Sequence, residues 1–294
     1  MRCEATVVDE QPGVLTLERA EFELFRELIL EDCGINVAPT KRLLVQNRVG
    51  KRLRLLGFNS FYRYYRYLQS SEGREKERKK LWSAITTNET HFFREAHHFD
   101  VLRRQVIKAI VSRPGPRRRI RIWSAGCSTG QEPYTLAMVL DDCLRHHPGW
   151  RYEVVGTDID QNVLATARTG HYPTILRREV PARFLMRYFD ADRETLCVGK
   201  TLRKSVSFRW LNLAEAEAMK PRFDVIFCRN VIMYLHMDTR HRLAQVFRDS
   251  LVPDGCLFLG SSESFHGIPR FLDVERSGKT AMYRRKDRSG NGGG

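Results

Sequence analysis

Residues 120–144 read IRIWSAGCSTGQEPYTLAMVLDDCL, and three pieces of different character follow one another within them. Ile120–Ala125 is a short apolar run of strand length. Gly126 to Gln131 is small and polar, with a glycine at each end of GCSTG. Glu132–Leu144 carries apolar residues at helical spacing. A strand that runs through a glycine-bearing turn into a helix is the building unit of an open parallel sheet. In such sheets ligands bind beyond the carboxyl ends of the strands, and the glycines let a ligand approach the backbone closely.

The same rhythm continues downstream. Tyr152–Gly156 (YEVVG) reads as the next strand and Asn162–Arg168 as the next helix. Phe223–Cys228 (FDVIFC) is a further strand, Thr239–Leu251 a helix, and a Pro253-Asp254-Gly255 turn leads into Cys256–Gly260. Alternation of this kind predicts an α/β fold with a mostly parallel sheet. The rhythm breaks between about 171 and 208. There Thr195–Val198 and Ser205–Phe208 look like short strands with no long helix between them, which predicts a small β insertion. The tail RSGNGGG, residues 288–294, has the composition of a disordered segment.

Upstream of residue 83 the pattern is all helical. Leu17, Phe22, Phe25, Ile29 and Leu30 form one apolar stripe. Thr40 is in place to cap a helix through Arg54, with Leu43, Leu44, Val49, Leu53, Leu55 and Leu56 on its apolar side and Gly57 ending it. A third helix is expected at Ser60–Leu68. The very polar stretch Glu72–Lys80 reads as an exposed linker or the start of a linking helix, with a boundary near 80–85. The expected division is therefore a helical part at 1–82 and an α/β part at 83–287.

The 294 residues carry a formal net charge of +15, which favours anionic partners. Thirteen Lys/Arg against three Glu lie between Lys41 and Lys80, so much of that charge is local. Arg48, Lys51, Arg52 and Arg54 crowd one helix, where they make either a solvated face or a docking surface. No run of 18 apolar residues exists, which argues against a membrane-spanning helix, and the N-terminus lacks a signal-like apolar core. The seven cysteines are scattered without a C-x-x-C pair, as in a reduced cytoplasmic protein. His97-His98 and His146-His147 are adjacent pairs expected to point apart on a helix, so no metal site is expected.

The loop after Ala125 selects among ligands. Its spacing is G-x-x-x-G rather than the dinucleotide fingerprint G-x-G-x-x-G. Glu132 also stands at the helix start, where a pyrophosphate wants bare amides and positive charge. A carboxylate there suits a ligand bearing ammonium or sulfonium charge, and S-adenosylmethionine carries both. Asp158, at the end of the second strand, is placed to accept bonds from ribose hydroxyls. Asp160 is the fallback, its other use being to cap the following helix. Two more polar segments stand where a fold needs little polarity. These are Thr86–Glu95 (TTNETHFFRE) and Arg229-Asn230 after the FDVIFC strand, the latter pointing into the same crevice or capping its loop.

Taken together, TTNETHFFRE, GCSTGQEPYTLAM, VGTDID, WLNL and FDVIFCRNVIMYL resemble the CheR chemotaxis receptor methyltransferases, over roughly residues 15–285. Gly126-Cys127 stands where these enzymes often have two alanine-like residues, and Gln131 replaces a frequent acid. The resemblance implies a Rossmann-like S-adenosylmethionine-dependent methyltransferase with a small antiparallel β insertion and an all-α N-terminal domain. It implies transfer of methyl to glutamate carboxylates of methyl-accepting chemotaxis receptors, by a cytoplasmic protein that is monomeric by default. Asn88, Thr90 and Arg94 should close over the donor, Arg94 and Tyr234 lying near the reacting centre. Glu132 should hold the methionine ammonium, Asp158 the ribose, Asn212 and Leu213 the adenine side, and Arg229 and Asn230 the methionine side. The basic N-terminal helices and the β insertion should contact the receptor, whose methylation helices are acidic.

Two rival readings share the donor site. A nucleic-acid methyltransferase would use the basic helices on phosphate, but no aromatic-plus-basic RNA-binding signature occurs and Arg229-Asn230 stands where N-P-P-Y would be expected. A non-catalytic module would bind the donor or its product as a signal, but the intact Arg94, Glu132, Asp158 and Tyr234 argue against decay of the site.

Overall fold

In the computed structural model, which describes residues 15–265 and 272–285, the N-terminal helices are α1 (Arg19–Cys33), α2 (Arg42–Leu55), α3 (Phe61–Gln69), α4 (Ser71–Lys76) and α5 (Arg78–Ile85). The expected tail at 288–294 lies outside the described residues. α1 is opened by a capping box between Glu18 and Glu21 and closed by Gly34 at φ 65°. Ser60 caps α3 by accepting from the Arg63 amide. Leu17, Phe22, Phe25 and Ile29 are buried as expected, but Leu28 replaces Leu30, which stays exposed.

The expectations for α2 need correction. Thr40 does not cap it, because Pro39–Lys41 forms a separate 3₁₀ turn and no side chain caps α2. Val49 and Leu53 are buried with Val45, whereas Leu43, Leu44, Leu55 and Leu56 are exposed. The buried stripe follows i, i+4, i+8 and passes these leucines by. The polar stretch after α3 is helical rather than a linker loop, and its Glu77 is buried to 1% exposure. Leu81, Trp82 and Ile85 of α5 pack into the core of the N-terminal helices.

Helix α6 (Ala96–Val101) continues through a π-helical turn into α7 (Lys108–Val111), ahead of the sheet. The large sheet has seven strands: β1 (Arg119–Ala125), β2 (Arg151–Asp158), β6 (Val206–Trp210), β7 (Phe223–Cys228), β8 (Leu251–Leu259), β9 (Leu272–Ser277) and β10 (Thr280–Arg285), in the order β6-β2-β1-β7-β8-β10-β9. The first five are parallel, and β10 and β9 are antiparallel. Both faces are covered, which is why these strands read as continuous apolar runs. Ile120, Ile122, Val225, Phe227, Cys256 and Phe258 face one core, while Trp123, Ala125, Ile226, Cys228, Leu257 and Leu259 face the other. Helices α8 (Gln131–Leu144) and α9 (Gln161–Thr169) follow β1 and β2, and α12 (Met237–Ser250) precedes β8. Chain order reverses between β1 and β7, and the crevice at such a switch point is where open sheets bind ligands.

The insertion is smaller than its sequence suggests. β3 (His171–Pro173), β5 (Thr195–Val198) and β4 (Phe189–Ala191) make a three-stranded antiparallel sheet, with α10 (Ala182–Tyr188) between β3 and β4 and α11 (Lys200–Lys204) after β5. The Ser205–Phe208 strand does not belong to it. It is part of β6, which pairs with β2 at the edge of the large sheet. The Pro253-Asp254-Gly255 turn lies within β8, where the register against β7 shifts and Asp254 takes φ 58°. No helix among the described residues is long and apolar enough to cross a membrane.

Candidate active site

A cavity of about 670 Å³ opens at the carboxyl ends of β1, β2 and β7, within the range of small-molecule sites. It is lined by Asn88, Thr90, Arg94, Glu132, Asp158, Asn212, Leu213, Arg229, Asn230 and Tyr234, so every residue the sequence proposed for donor and reacting centre meets in one place. Ile35 and Val37 of the segment after α1, Lys41 of the 3₁₀ turn, and Leu44 and Arg48 of α2 form a further wall.

The floor is the loop after β1. The Gly126 and Cys127 amides donate to the Thr157 carbonyl, which holds the loop against the end of β2. Gly126 has φ 78°, and a Cβ there would stand 2.4 Å from Val231 Cγ2, so only glycine fits. Asp158 accepts from the Ser128 amide at 2.8 Å and the Asp160 amide at 2.9 Å. Burial raises its pKa, and these amides oppose the rise. Asp160 takes the capping role, accepting from the Asn162 amide at the start of α9, and its other oxygen accepts from Asn88 Nδ2 at 2.6 Å. The Asn88 carbonyl accepts from Ser128 Oγ at 2.8 Å, so the 88–95 loop is tied to the floor at two points.

Glu132 is not a free anion. Its Oε1 accepts from Ser124 Oγ and its Oε2 from Arg229 Nε, each at 2.7 Å. The Arg229 side chain is 2% exposed and also donates through Nη1 to the Arg94 carbonyl at 2.7 Å. Arg229 lines the cavity as expected, with its guanidinium paired to Glu132 and to the Arg94 carbonyl. Asn212 also lines the cavity; its Nδ2 donates to the Asp32 carbonyl and its Oδ1 accepts from the Ala214 amide. The Arg94 guanidinium donates to the Glu89 carbonyl at 2.8 Å across its own loop.

Tyr234 is 47% exposed at the rim. Its carbonyl accepts from the Asn36 amide at 2.8 Å, and the next residues bridge Ile35 to Leu235 and His236 to Gly34. The segment after α1 thus fixes the rim of the α/β part directly.

Four basic residues were proposed for docking, and two have other duties. Arg48 donates to the carbonyls of Ile85 and Thr86 and to Thr87 Oγ1. Arg52 makes a two-point pair with Glu77, 2.8 Å at each oxygen, and Tyr64 Oη donates to the same carboxylate. A buried glutamate needed a counter-charge, and α2 supplied it from the face nearest α5. Lys51 and Arg54 are exposed.

Several residues here were missed. Glu95 accepts from the Ser261 amide and Oγ, and its pKa is lowered: burial raises it, but these bonds and the Arg229 charge prevail. Glu263 accepts from the amides of Gly260, Asn230 and Met233 and so fixes the turn after β7. His98 and His97 do not diverge as expected. Their ring centroids are 4.3 Å apart, and ligand atoms of both and of Glu95 lie within 4.8 Å of one another. His98 Nδ1 lies 3.1 Å from Arg229 Nη1 and 3.4 Å from Glu95 Oε2. Four of the five described non-glycine residues with positive φ are Phe93, Glu95, Ser128 and Asn230, all at this site. A local signal existed only for Glu263, a carboxylate in a serine-rich turn after an apolar strand.

Residues 88–280 match the family described as CheR methyltransferase, SAM binding domain, and residues 20–86 match CheR methyltransferase, all-alpha domain. The chain is similar to chemotaxis protein methyltransferase 1 of Pseudomonas aeruginosa, 34% identical over 92% of this chain and 100% of the relative. It is also similar to the chemotaxis protein methyltransferases of Salmonella typhimurium and Escherichia coli, each 38% identical, covering 94% and 93% of this chain and 93% of either relative.

Proposed function

Because the chain belongs to the CheR methyltransferase family, we propose that it methylates glutamate side chains of chemotaxis receptors, forming glutamyl methyl esters. S-adenosylmethionine, the donor of the matched domain, supplies an electrophilic methyl on a sulfonium centre. The observation that carries the reading is the meeting of Glu132, Asp158, Arg94 and Tyr234 around one cavity at the switch point of the sheet. Asp158 and Glu132 fit that donor because each carboxylate keeps spare acceptor capacity beside its protein bonds. On this reading Asp158 accepts from the ribose, and Glu132 with Asn230 borders the amino-acid end. Leu213 and the backbone of Asn212 border the adenine.

The acceptor needs no general base. A glutamate has a reference pKa of about 4.3 and is already an anion near neutrality. The protein has instead to hold that carboxylate in line with the methyl group and keep water away. Arg94 suits the first task, since a guanidinium grips a carboxylate through two hydrogen bonds. Tyr234 at the rim suits the second. Residues 1–82 serve as the receptor-recognition part, 83–287 as the catalytic part, and the insertion, from about 171 to the end of α11 at 204, offers a further receptor contact. The protein acts in the cytoplasm, as a monomer, on the acidic methylation helices of the receptor, with Lys51 and Arg54 facing them.

Incubation with labelled donor and receptor cytoplasmic domains should place base-labile label on glutamate, and label stable to base would refute the ester. Arg94→Ala should lower turnover about a hundredfold while changing donor affinity little. Unchanged turnover would remove Arg94 from its role.

A further inference from the structure

Arg229 stands at the end of β7 with its guanidinium divided among fixed partners. Nε holds Glu132 Oε2, and Nη1 holds both the Arg94 carbonyl and, at 3.1 Å, His98 Nδ1. The rings of Phe99 and Phe227 lie 5.2 Å and 5.6 Å from its central carbon. A guanidinium can only donate, so accepting from Arg229 requires an unprotonated Nδ1 with the ring proton on Nε2, in competition with Glu95 Oε2, which faces the same nitrogen at 3.4 Å. His98 is 1% exposed and is not among the residues lining the cavity.

The plane of this guanidinium joins two parts of the site that belong to different elements. Glu132 is on α8, and Arg94 is in the loop before α6. Phe93 and Glu95, which flank Arg94, both have φ 55°, so the loop is held in a conformation its residues do not favour. The bond from Nη1 to the Arg94 carbonyl is one of the restraints that hold it there. Without His98 that nitrogen keeps the Arg94 carbonyl and, at 3.8 Å, Glu95 Oε2, and the guanidinium loses one of the restraints that set its plane.

We propose that His98 is a positioning residue for methyl transfer: its Nδ1 fixes the Arg229 guanidinium, which sets Arg94 relative to Glu132. The inference rests on the roles given above to Arg94 and Glu132. It extends the site by a residue that touches neither donor nor acceptor.

The test compares His98→Leu with His98→Asn, whose side-chain oxygen places an acceptor near the Nδ1 position. Turnover is measured on receptor cytoplasmic domains, and affinity is measured calorimetrically with S-adenosylhomocysteine. His98→Leu should lower kcat about tenfold or more, a modest misplacement being enough for that. Affinity should stay within about threefold, and His98→Asn should recover kcat to within about threefold of the parent. Equal kcat in the two variants, whether both normal or both low, would overturn the proposal. If His98→Leu does not fold, two-bond proton–nitrogen NMR correlation on the parent protein decides. The Nε2–H form of His98 supports the proposal, and the Nδ1–H form overturns it. A parent protein that binds S-adenosylhomocysteine but leaves receptor unmethylated refutes the acceptor, while the NMR result still judges His98.

Discussion

At the scale of single residues, adjacent or paired groups of the same kind divide their labour through the partners the fold sets beside them. Asp158 and Asp160 are two residues apart, yet one ends inside the cavity wall and the other caps α9 and anchors Asn88. His98 shows the same sorting by environment. Burial, and then the charge of Arg229, lower its pKa from 6.5 to about 3. The unfolded chain therefore binds a proton in the window between these values and the folded chain does not. Stability contributed at this position is complete above about pH 6.5 and falls as the pH drops towards about 3. Urea denaturation of the parent and His98→Asn between about pH 4 and 7 should show a shallower pH slope in the variant. Parallel slopes would mean that His98 is protonated in the folded protein.

At the scale of elements, the loop that carries Thr90 and Arg94 is held from both sides. Asn88 ties it to the donor loop, and the Phe92 amide donates to Glu179 of the insertion at 3.0 Å. Phe92 packs edge-on to Tyr172 and Phe189, and Phe93 stacks on Phe184. The insertion therefore supports the loop as well as presenting a surface of its own. Opposite it, the β1–α8 turn depends on backbone that other residues adopt at a cost. Gly126→Ala adds a methyl group 2.4 Å from Val231 Cγ2 at φ 78°. It should cost about 1–2 kcal/mol from the left-handed conformation alone, with more from the clash, and should weaken S-adenosylhomocysteine binding. Thermal unfolding and calorimetry check both, and unchanged values in each would show that the turn tolerates a side chain.

At the scale of the whole molecule, the net charge of +15 is spread over cations with different uses. Arg52 is an internal partner of Glu77, which is 1% exposed, and Arg52→Ala should destabilise the fold by about 3–5 kcal/mol by leaving that buried carboxylate with the Tyr64 hydroxyl but without its counter-charge. Lys51 and Arg54 are exposed, so reversing both to Glu should spare stability, slow receptor methylation and flatten its salt dependence. The Debye length is about 8 Å at physiological ionic strength, so added salt screens such surface pairs. Receptor methylation that ignores both salt and the double reversal would remove α2 from docking. The motifs were legible because their chemistry is local. A strand, a GCSTG turn and an acid at the helix start lie within 25 contiguous residues, 120–144, and the near-continuous apolar runs of β1 and β7 mark strands whose two faces are both buried. Such local patterns determined by themselves the α/β class, the helical N-terminal part and the places of Glu132, Asp158 and Arg229-Asn230, while the other residues expected around the cavity followed from the family resemblance. What only the tertiary structure decided is how each charge is used. Arg52 with Glu77, Arg229 with Glu132 and His98, and Asn212 with Asp32 are partners 25, 97, 131 and 180 residues apart. No pattern along the chain relates them. Burial removes water as the alternative partner, so a charged or polar group in the interior must pair with whatever donor or acceptor the fold brings beside it.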